Sequence, residues 1–423
     1  MLDLCLFLFV MGLLALGLRN PFIWVLTYIY IDIVAPQKIG WTLTPLLPIS
    51  LIAFAAAFAG WLLVDSKEGS RFTGRQGLMV LLLAWCGLTT LWADFPVEAL
   101  EKWNWVWKAL VFAIFLPLTL RTRLRIEGAI LFMVLSLAAI VIAGSIKTVV
   151  GGGGYGQLAS LVAENAGLYE GSTLSMVAIS VIPLVLWLAR NGTVFPQSKP
   201  VVLFAAALVF ACLLIPVGTQ TRTGLICIGV LAVLLLRSVK YRFLYLAGGA
   251  LAMLAAVPFL PASYTERMGT IATHEGDQSA STRIAVWQWT LDYAKDHPLG
   301  GGFDAYRGNS FTYRTRVVVQ TGDVSSVETQ EVTDKARAYH SSYFEVLGEQ
   351  GWPGLFLWAW IHALGLWQME RIRRRYRRSA DPQERSWGEL ATALQQGQMI
   401  YLVGALFVGI GYQPFIFMLI AVQ

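Results

Sequence analysis

Apolar positions in this chain come in long unbroken runs instead of the alternating or every-third-residue patterns of a soluble fold. A membrane-spanning helix needs about 20 mostly apolar residues, with a working range of about 17 to 25. By that measure the sequence offers about twelve candidate spans, at approximately 2–18, 21–35, 44–64, 77–92, 105–120, 128–150, 173–189, 200–217, 223–236, 243–260, 344–369 and 397–421. The first has neither a basic leading region nor a small-residue cleavage site, so it reads as a retained span and not a signal peptide. The last is broken by Gly409, Gly411 and Pro414, which fits one kinked helix or a helix followed by a re-entrant piece. The fold class expected from this pattern is all-α, a polytopic integral membrane protein.

One connection departs from the rest. Residues 261–343 carry 8 basic and 10 acidic groups in 83 positions, the composition of a water-exposed module. Its aromatics (Trp287, Trp289, Tyr293, Phe303, Tyr306 and Tyr313) are too many for a disordered linker. Ile284, Val286, Trp287, Leu291 and Ala294 recur with helical spacing over 282–296. The pattern predicts a partly helical cap followed by a looser polar tongue around 318–335. Three regions follow: spans one to ten in 1–260, the large loop 261–343, and the last spans in 344–423 with a basic connection at 370–396.

Composition agrees: 56% of the 423 residues are hydrophobic and 14% charged, against roughly 45–50% and about 25% in a soluble domain. An ordinary cytosolic enzyme is excluded. Of the 32 basic residues, 19 fall in alternate connections, from Arg19 to Arg385. Basic connections stay cytoplasmic, so this face is assigned to the cytoplasm and the 261–343 loop to the opposite side. The run Arg371-Ile-Arg-Arg-Arg-Tyr-Arg-Arg378 directly follows a membrane segment, where it anchors topology near anionic headgroups; no nucleic-acid partner is expected. The four cysteines stand far apart in apolar runs, with no metal or disulfide spacing. Gly151–Gly154 lacks the Gly-Lys-Ser/Thr of a phosphate loop, and there is no H-E-x-x-H or G-x-S-x-G. Nucleotide-driven pumps, zinc proteases and serine hydrolases therefore have no support.

Charged groups at the membrane boundary are costly and so mark candidate sites. Arg222 lies in Pro216-Val-Gly-Thr-Gln-Thr-Arg-Thr-Gly224, a tight hairpin between two spans. It either snorkels to water or binds an anion beside the hydroxyls of Thr219, Thr221 and Thr223. Arg283 follows Ser279-Ala-Ser-Thr, which reads as a helix start with Arg283 in its first turn. The helix dipole disfavours a cation there unless an anion is bound nearby; a plain solvated Arg is the other reading. His340 stands where the loop re-enters the membrane, as either a helix-capping group or a base that titrates near about 6.5. Glu275-Gly-Asp277 is a solvated acidic turn or a pair of carboxylates for a divalent ion. The shortage of such pairs leads us to expect no metal and no cofactor.

These motifs together resemble the O-antigen ligase and polymerase superfamily. His340-Ser341, nine residues, then Gly351-Trp-Pro-Gly354 matches its His-[Asn/Ser/Gln]-x9-Gly-x-x-Gly pattern. Thr221-Arg-Thr-Gly224 resembles its Ser-Arg-x-Gly element, and Arg283 with Trp287, then Asp296-His-Pro-Leu-Gly-Gly-Gly-Phe303, is similar to its remaining stretches. The order is the family's. Arg19-Asn-Pro-Phe22, Ala35-Pro-Gln-Lys38 and Tyr264-Thr-Glu-Arg-Met268 look closer to the branch of exosortase-associated O-glycosylation ligases. The departures are Thr221 for Ser and Ser341 for Asn; both keep a hydrogen-bonding group and leave the acceptor open.

The resemblance implies a GT-C-type membrane glycosyltransferase fold with about twelve transmembrane helices and a large periplasmic loop. It also implies transfer of a glycan from an undecaprenyl diphosphate carrier to lipid A-core at the periplasmic face of a Gram-negative inner membrane. Protein O-oligosaccharyltransfer and polysaccharide polymerisation share that donor, and a lipid-linked glycan transporter is the alternative outside enzymes. His340 would take the acceptor proton, and Arg222 and Arg283 would hold the developing diphosphate. Arg267, Tyr306, Arg307 and Tyr343 are weaker candidates that line the site or hold the loop.

Overall fold

The computed structural model describes residues 2–151, 167–237, 241–244, 247–248, 251, 278–321 and 324–423. Among them are thirteen helices of nine residues or more: α1 (Leu2–Gly17), α2 (Phe22–Val34), α3 (Ile49–Leu63), α4 (Gly74–Thr89), α5 (Pro96–Thr119), α6 (Arg123–Gly151), α7 (Gly171–Asn191), α8 (Lys199–Gly218), α9 (Arg222–Leu236), α10 (Gln278–Asp296), α11 (Ser342–Tyr376), α12 (Pro382–Gly404) and α13 (Pro414–Val422). Five apolar segments are long enough to cross a membrane: Phe22–Ile39, Gly74–Trp92, Arg123–Gly151, Gly171–Asn191 and Lys199–Gly218. The molecule is an integral membrane protein by that measure. Ten of the candidate spans fall on one helix each. Most of the span at 243–260 lies outside the described residues, as do Arg267, Glu275 and Asp277.

Helix ends are set locally. Thr73 and Gln76 form a reciprocal capping box at α4, the Asp381 carboxylate caps α12 ahead of Pro382, and Pro96 opens α5. The Glu170 carboxylate accepts from the backbone of Ser172 and Thr173 to start α7. Helix α7 is buried on nearly every face, between α6, α8, α9 and α12. Two glycines let α12 approach it: a Cβ on Gly397 would lie 2.7 Å from Ser180 O, and one on Gly404 would lie 2.4 Å from Met176 Cγ.

One expectation is corrected, and one pair of alternatives is resolved. The tongue around 318–335 is an antiparallel ribbon, β1 (Ser310–Thr321) with β2 (Val324–Lys335), paired from Ser310↔Lys335 to Thr321↔Val324, in an otherwise all-α molecule. The last apolar stretch is a helix followed by a non-helical return over 405–413 and the short helix α13. At about 1.5 Å per residue, nine residues cover roughly 14 Å, less than half of a bilayer core.

The basic connections meet at one end of the bundle. Arg121 and Arg125 pair with Asp65 (2.8 and 2.6 Å), while Arg123 bonds Asn191 O and Ser386 Oγ, each at 3.2 Å. At the other end, the Asp3 carboxylate accepts from the backbone of Thr42, Leu43 and Thr44 at 2.7–3.2 Å, and Tyr169 Oη donates to Val34 O at 2.6 Å. The loop containing His340 belongs to this second end.

Candidate active site at the end away from the basic connections

Two glycine-rich motifs, separate in sequence, interlock through their main chains. The segment after α10 turns on Gly300 and Gly302, both left-handed (φ 81° and 76°), and helix α11 kinks at Gly351 (φ 64°). Gly301 N donates to Gly348 O (3.1 Å), Gly302 N to Glu349 O (2.9 Å) and Trp352 N to Pro298 O (3.0 Å). The backbones lie so close that a Cβ on Gly300 would sit 2.5 Å from Glu349 O, and one on Gly351 2.3 Å from Pro298 O. Only glycine meets both conditions. The indoles of Trp85 and Trp92 donate to Gln350 O (2.8 Å) and Gly300 O (3.0 Å), tying the crossing to α4 and the turn after it.

His340 is carried on this platform. Asn309, buried at the base of the ribbon, bonds the backbone N and O of Arg337 (2.9 and 2.7 Å) and so returns the chain to position 340. Trp287 Nε1 donates to Tyr339 O at 2.9 Å, and its ring stacks on Phe344 with centroids 5.0 Å apart. On the far side, Ser342 Oγ donates to Val408 O (2.8 Å) and accepts from Ile410 N (3.0 Å). Fixed from both sides, His340 adopts φ 47°, a left-handed conformation uncommon outside glycine. Backbone strain of this kind clusters at functional sites.

His340 is exposed as a residue, yet protein crowds around its ring. That crowding holds the imidazole below its usual value of 6.5; the Arg283 charge acts in the same sense, Glu170 opposes it, and Arg337 adds to the lowering. Arg283 lies one helical turn before Trp287, so the indole that fixes Tyr339 and the guanidinium that acts on His340 share a face of α10. Because α10 begins at Gln278, Arg283 is in the second turn and not the first.

The dipole argument passes to Arg222, the first residue of α9. Its helix is seated beside α7: Thr221 Oγ1 donates to Ser175 Oγ (2.9 Å), and Ser175 Oγ meets Thr219 Oγ1 at 2.7 Å. The hydroxyls of Thr219 and Thr221 are thus engaged in a buried knot instead of lying open beside Arg222. Ser175 is five residues after Glu170 on α7, which places Arg222 at the same end of the bundle as Glu170 and His340.

The weaker candidates differ in their surroundings. Tyr306 is half-buried and packs edge-on against Tyr339 at 5.5 Å. Arg307 faces Glu98 (3.6 Å) and Asp304 (3.5 Å). Tyr343 Oη donates to Leu402 O at 3.1 Å within the helix packing. Arg307 and Tyr343 already have protein partners.

Sequence reasoning missed two features here. One is Glu170, the only acidic group of the described residues whose charge acts on His340. The other is a buried ionic knot below the platform: Lys102 Nζ lies 2.7 Å from both Glu345 Oε1 and Glu349 Oε1, and 3.7 Å from Asp304 Oδ1. Asp304 N and Gly411 N donate to Glu349 and Glu345 at 3.0 and 2.8 Å. The signal was present, since Glu345 and Glu349 are four apart on one helix face just after His340, and buried carboxylates require a partner.

Residues 207–359 match the O-antigen ligase family, and residues 1–193 match a family of unknown function, DUF5935. No curated protein matches the chain. Arg222, Arg283, His340 and the Gly351–Gly354 kink fall in the first matched region, whereas Lys102 and Glu170 fall in the second.

Proposed function

We propose a specific reaction for this chain, whose residues 207–359 match the O-antigen ligase family, a match that implies a glycosyltransferase-type enzyme for lipid-linked glycans. The protein transfers a glycan from undecaprenyl diphosphate to lipid A-core at the periplasmic face of the bacterial inner membrane, across which it runs in about twelve spans. The observation that carries the reading is the joint placement of His340 and Arg283 by Trp287, with Glu170 in electrostatic reach.

His340 accepts the proton of the acceptor hydroxyl as that oxygen bonds the anomeric carbon. The bond from that carbon to the diphosphate oxygen breaks, and its electron pair leaves on the carrier. Arg283 and Arg222 meet the charge that grows there, a demand two guanidinium groups suit by their paired donors. One displacement inverts the anomeric centre. The energy comes from the activated donor, and the two arginines let the step proceed without a divalent ion.

The test is transfer by purified protein supplied with lipid-linked donor and a panel of acceptors. His340→Ala should lower turnover by about 10²–10⁴-fold, the range for a lost general base, with donor binding retained. Near-normal turnover in that variant rejects the base. A product in which the glycan is joined to protein or to another glycan reassigns the acceptor.

A further inference from the structure

Four arginines converge on one cavity at the basic end of the bundle. Arg190 at the end of α7, Arg237 after α9, and Arg373 and Arg377 at the end of α11 line a space of about 630 Å³. Arg373 is held by Glu370 through two bonds of 2.7 and 2.6 Å. Glu389, the acidic residue in the lining, accepts from Asn191 at 2.8 Å. Among the described residues, Arg190, Arg237 and Arg377 have no carboxylate within 4.0 Å. Topology explains why arginines lie on this face. It does not explain why four of them border a single void, three of them without a carboxylate partner among the described residues.

The remaining wall sets the class of that anion. Leu234, Leu235 and Met399 line the same space, so charged and apolar groups border one void. The volume equals that of roughly twenty waters at about 30 Å³ each, far more than a bare phosphate fills. We propose that this cavity is a binding site for an anionic phospholipid, its phosphodiester among Arg190, Arg237 and Arg377 and the start of an acyl chain against Leu234, Leu235 and Met399. Basic pockets between membrane helices take such headgroups. The lipid would brace α7, α9 and α11 together, and the far ends of these helices carry Glu170, Arg222 and His340.

The experiment is native mass spectrometry of the full-length protein after incubation with phosphatidylglycerol, phosphatidylcholine or inorganic phosphate. One phosphatidylglycerol should be retained in at least about tenfold preference to phosphatidylcholine. Two variants separate a site from charge alone. Arg190→Gln with Arg377→Gln removes headgroup contacts, and Thr392→Trp fills the cavity while keeping every charge; each should reduce retention at least about tenfold. Unchanged retention in Thr392→Trp means that lipid adsorbs to a basic surface, and it overturns the proposal even if the double variant does not fold. Equal retention of phosphatidylcholine overturns it as well. Binding of inorganic phosphate that expels the lipid assigns the arginines to a free anion instead.

Discussion

At the scale of single residues, the candidate site turns on the state of one imidazole. A general base works in its neutral form, and His340 is held below 6.5 by crowding and by Arg283, against the pull of Glu170. Turnover should therefore persist below pH 6.5 and fail only as the solution becomes acidic enough to protonate the ring. Arg283→Gln removes a cation that disfavours imidazolium, so the acid limb of kcat/KM against pH should move to higher pH while turnover falls. Glu170→Gln keeps the amide oxygen for the α7 cap but removes the charge that favours imidazolium; its limb should move lower. Limbs that stay put, or move the same way in both variants, would detach these charges from the base. Arg283 and His340 were legible from the sequence because a boundary Arg and an unusual His near a loop end are conspicuous in an apolar chain. Glu170 was not, because only the packing of α7 against α12, and of α12 against α11, brings it near a residue 170 positions later.

At the scale of elements, the site depends on a backbone crossing. Gly300 and Gly351 have positive φ and also face carbonyl oxygens at 2.5 and 2.3 Å from a built Cβ, whereas Gly69 has positive φ (80°) with open space around it. Gly69→Ala should cost only the conformational term, about 1–2 kcal/mol. Gly300→Ala and Gly351→Ala should cost clearly more and also lower glycan transfer, since they push the α10 loop off the kink of α11 and so disturb the platform that carries His340. Thermal unfolding in detergent and transfer assays on the three variants check this; an equal loss in all three would mean that the close crossing is unimportant. Hydrophobic runs disclosed most helices because each is apolar along its length, whether packed inside the bundle as α7 is or exposing apolar side chains at the surface. The ribbon escaped that reading, since its strands mix Thr, Val, Arg and Glu and neither strand offers the apolar run or clean alternation on which hydropathy relies. The return over 405–413 was half visible: Gly409, Gly411 and Pro414 announced a break, but its docking onto Ser342 and Glu345 is a long-range hydrogen-bond pattern.

At the scale of the molecule, chemistry divides between two ends. Helix α7 (Gly171–Asn191) is capped by Glu170 and has Arg190 in its last turn, and its 21 residues cover about 30 Å, the thickness of a bilayer core. Helix α11 starts two residues after His340, kinks at Gly351 and ends on Arg373, Arg374 and Arg375. Both helices thus set the candidate site and the basic cluster on opposite boundaries of one apolar slab. If basic connections are retained in the cytoplasm, the donor and acceptor must be met outside, and accessibility decides it. Cys5 is the one exposed thiol of the four, so probes belong in a Cys5→Ser background. Gly308 lies exposed near the candidate site with room for a side chain, its built Cβ no closer than 3.8 Å to Phe95, and Ala380 is exposed at the basic end. In intact cells, an impermeant maleimide should label Gly308→Cys, and should reach Ala380→Cys only after the inner membrane is opened. The reverse pattern would move His340 into the cytoplasm, where a periplasmic acceptor cannot reach it. Labelling of both from one side would be incompatible with α7 and α11 each crossing the bilayer, because their two ends would then share one compartment.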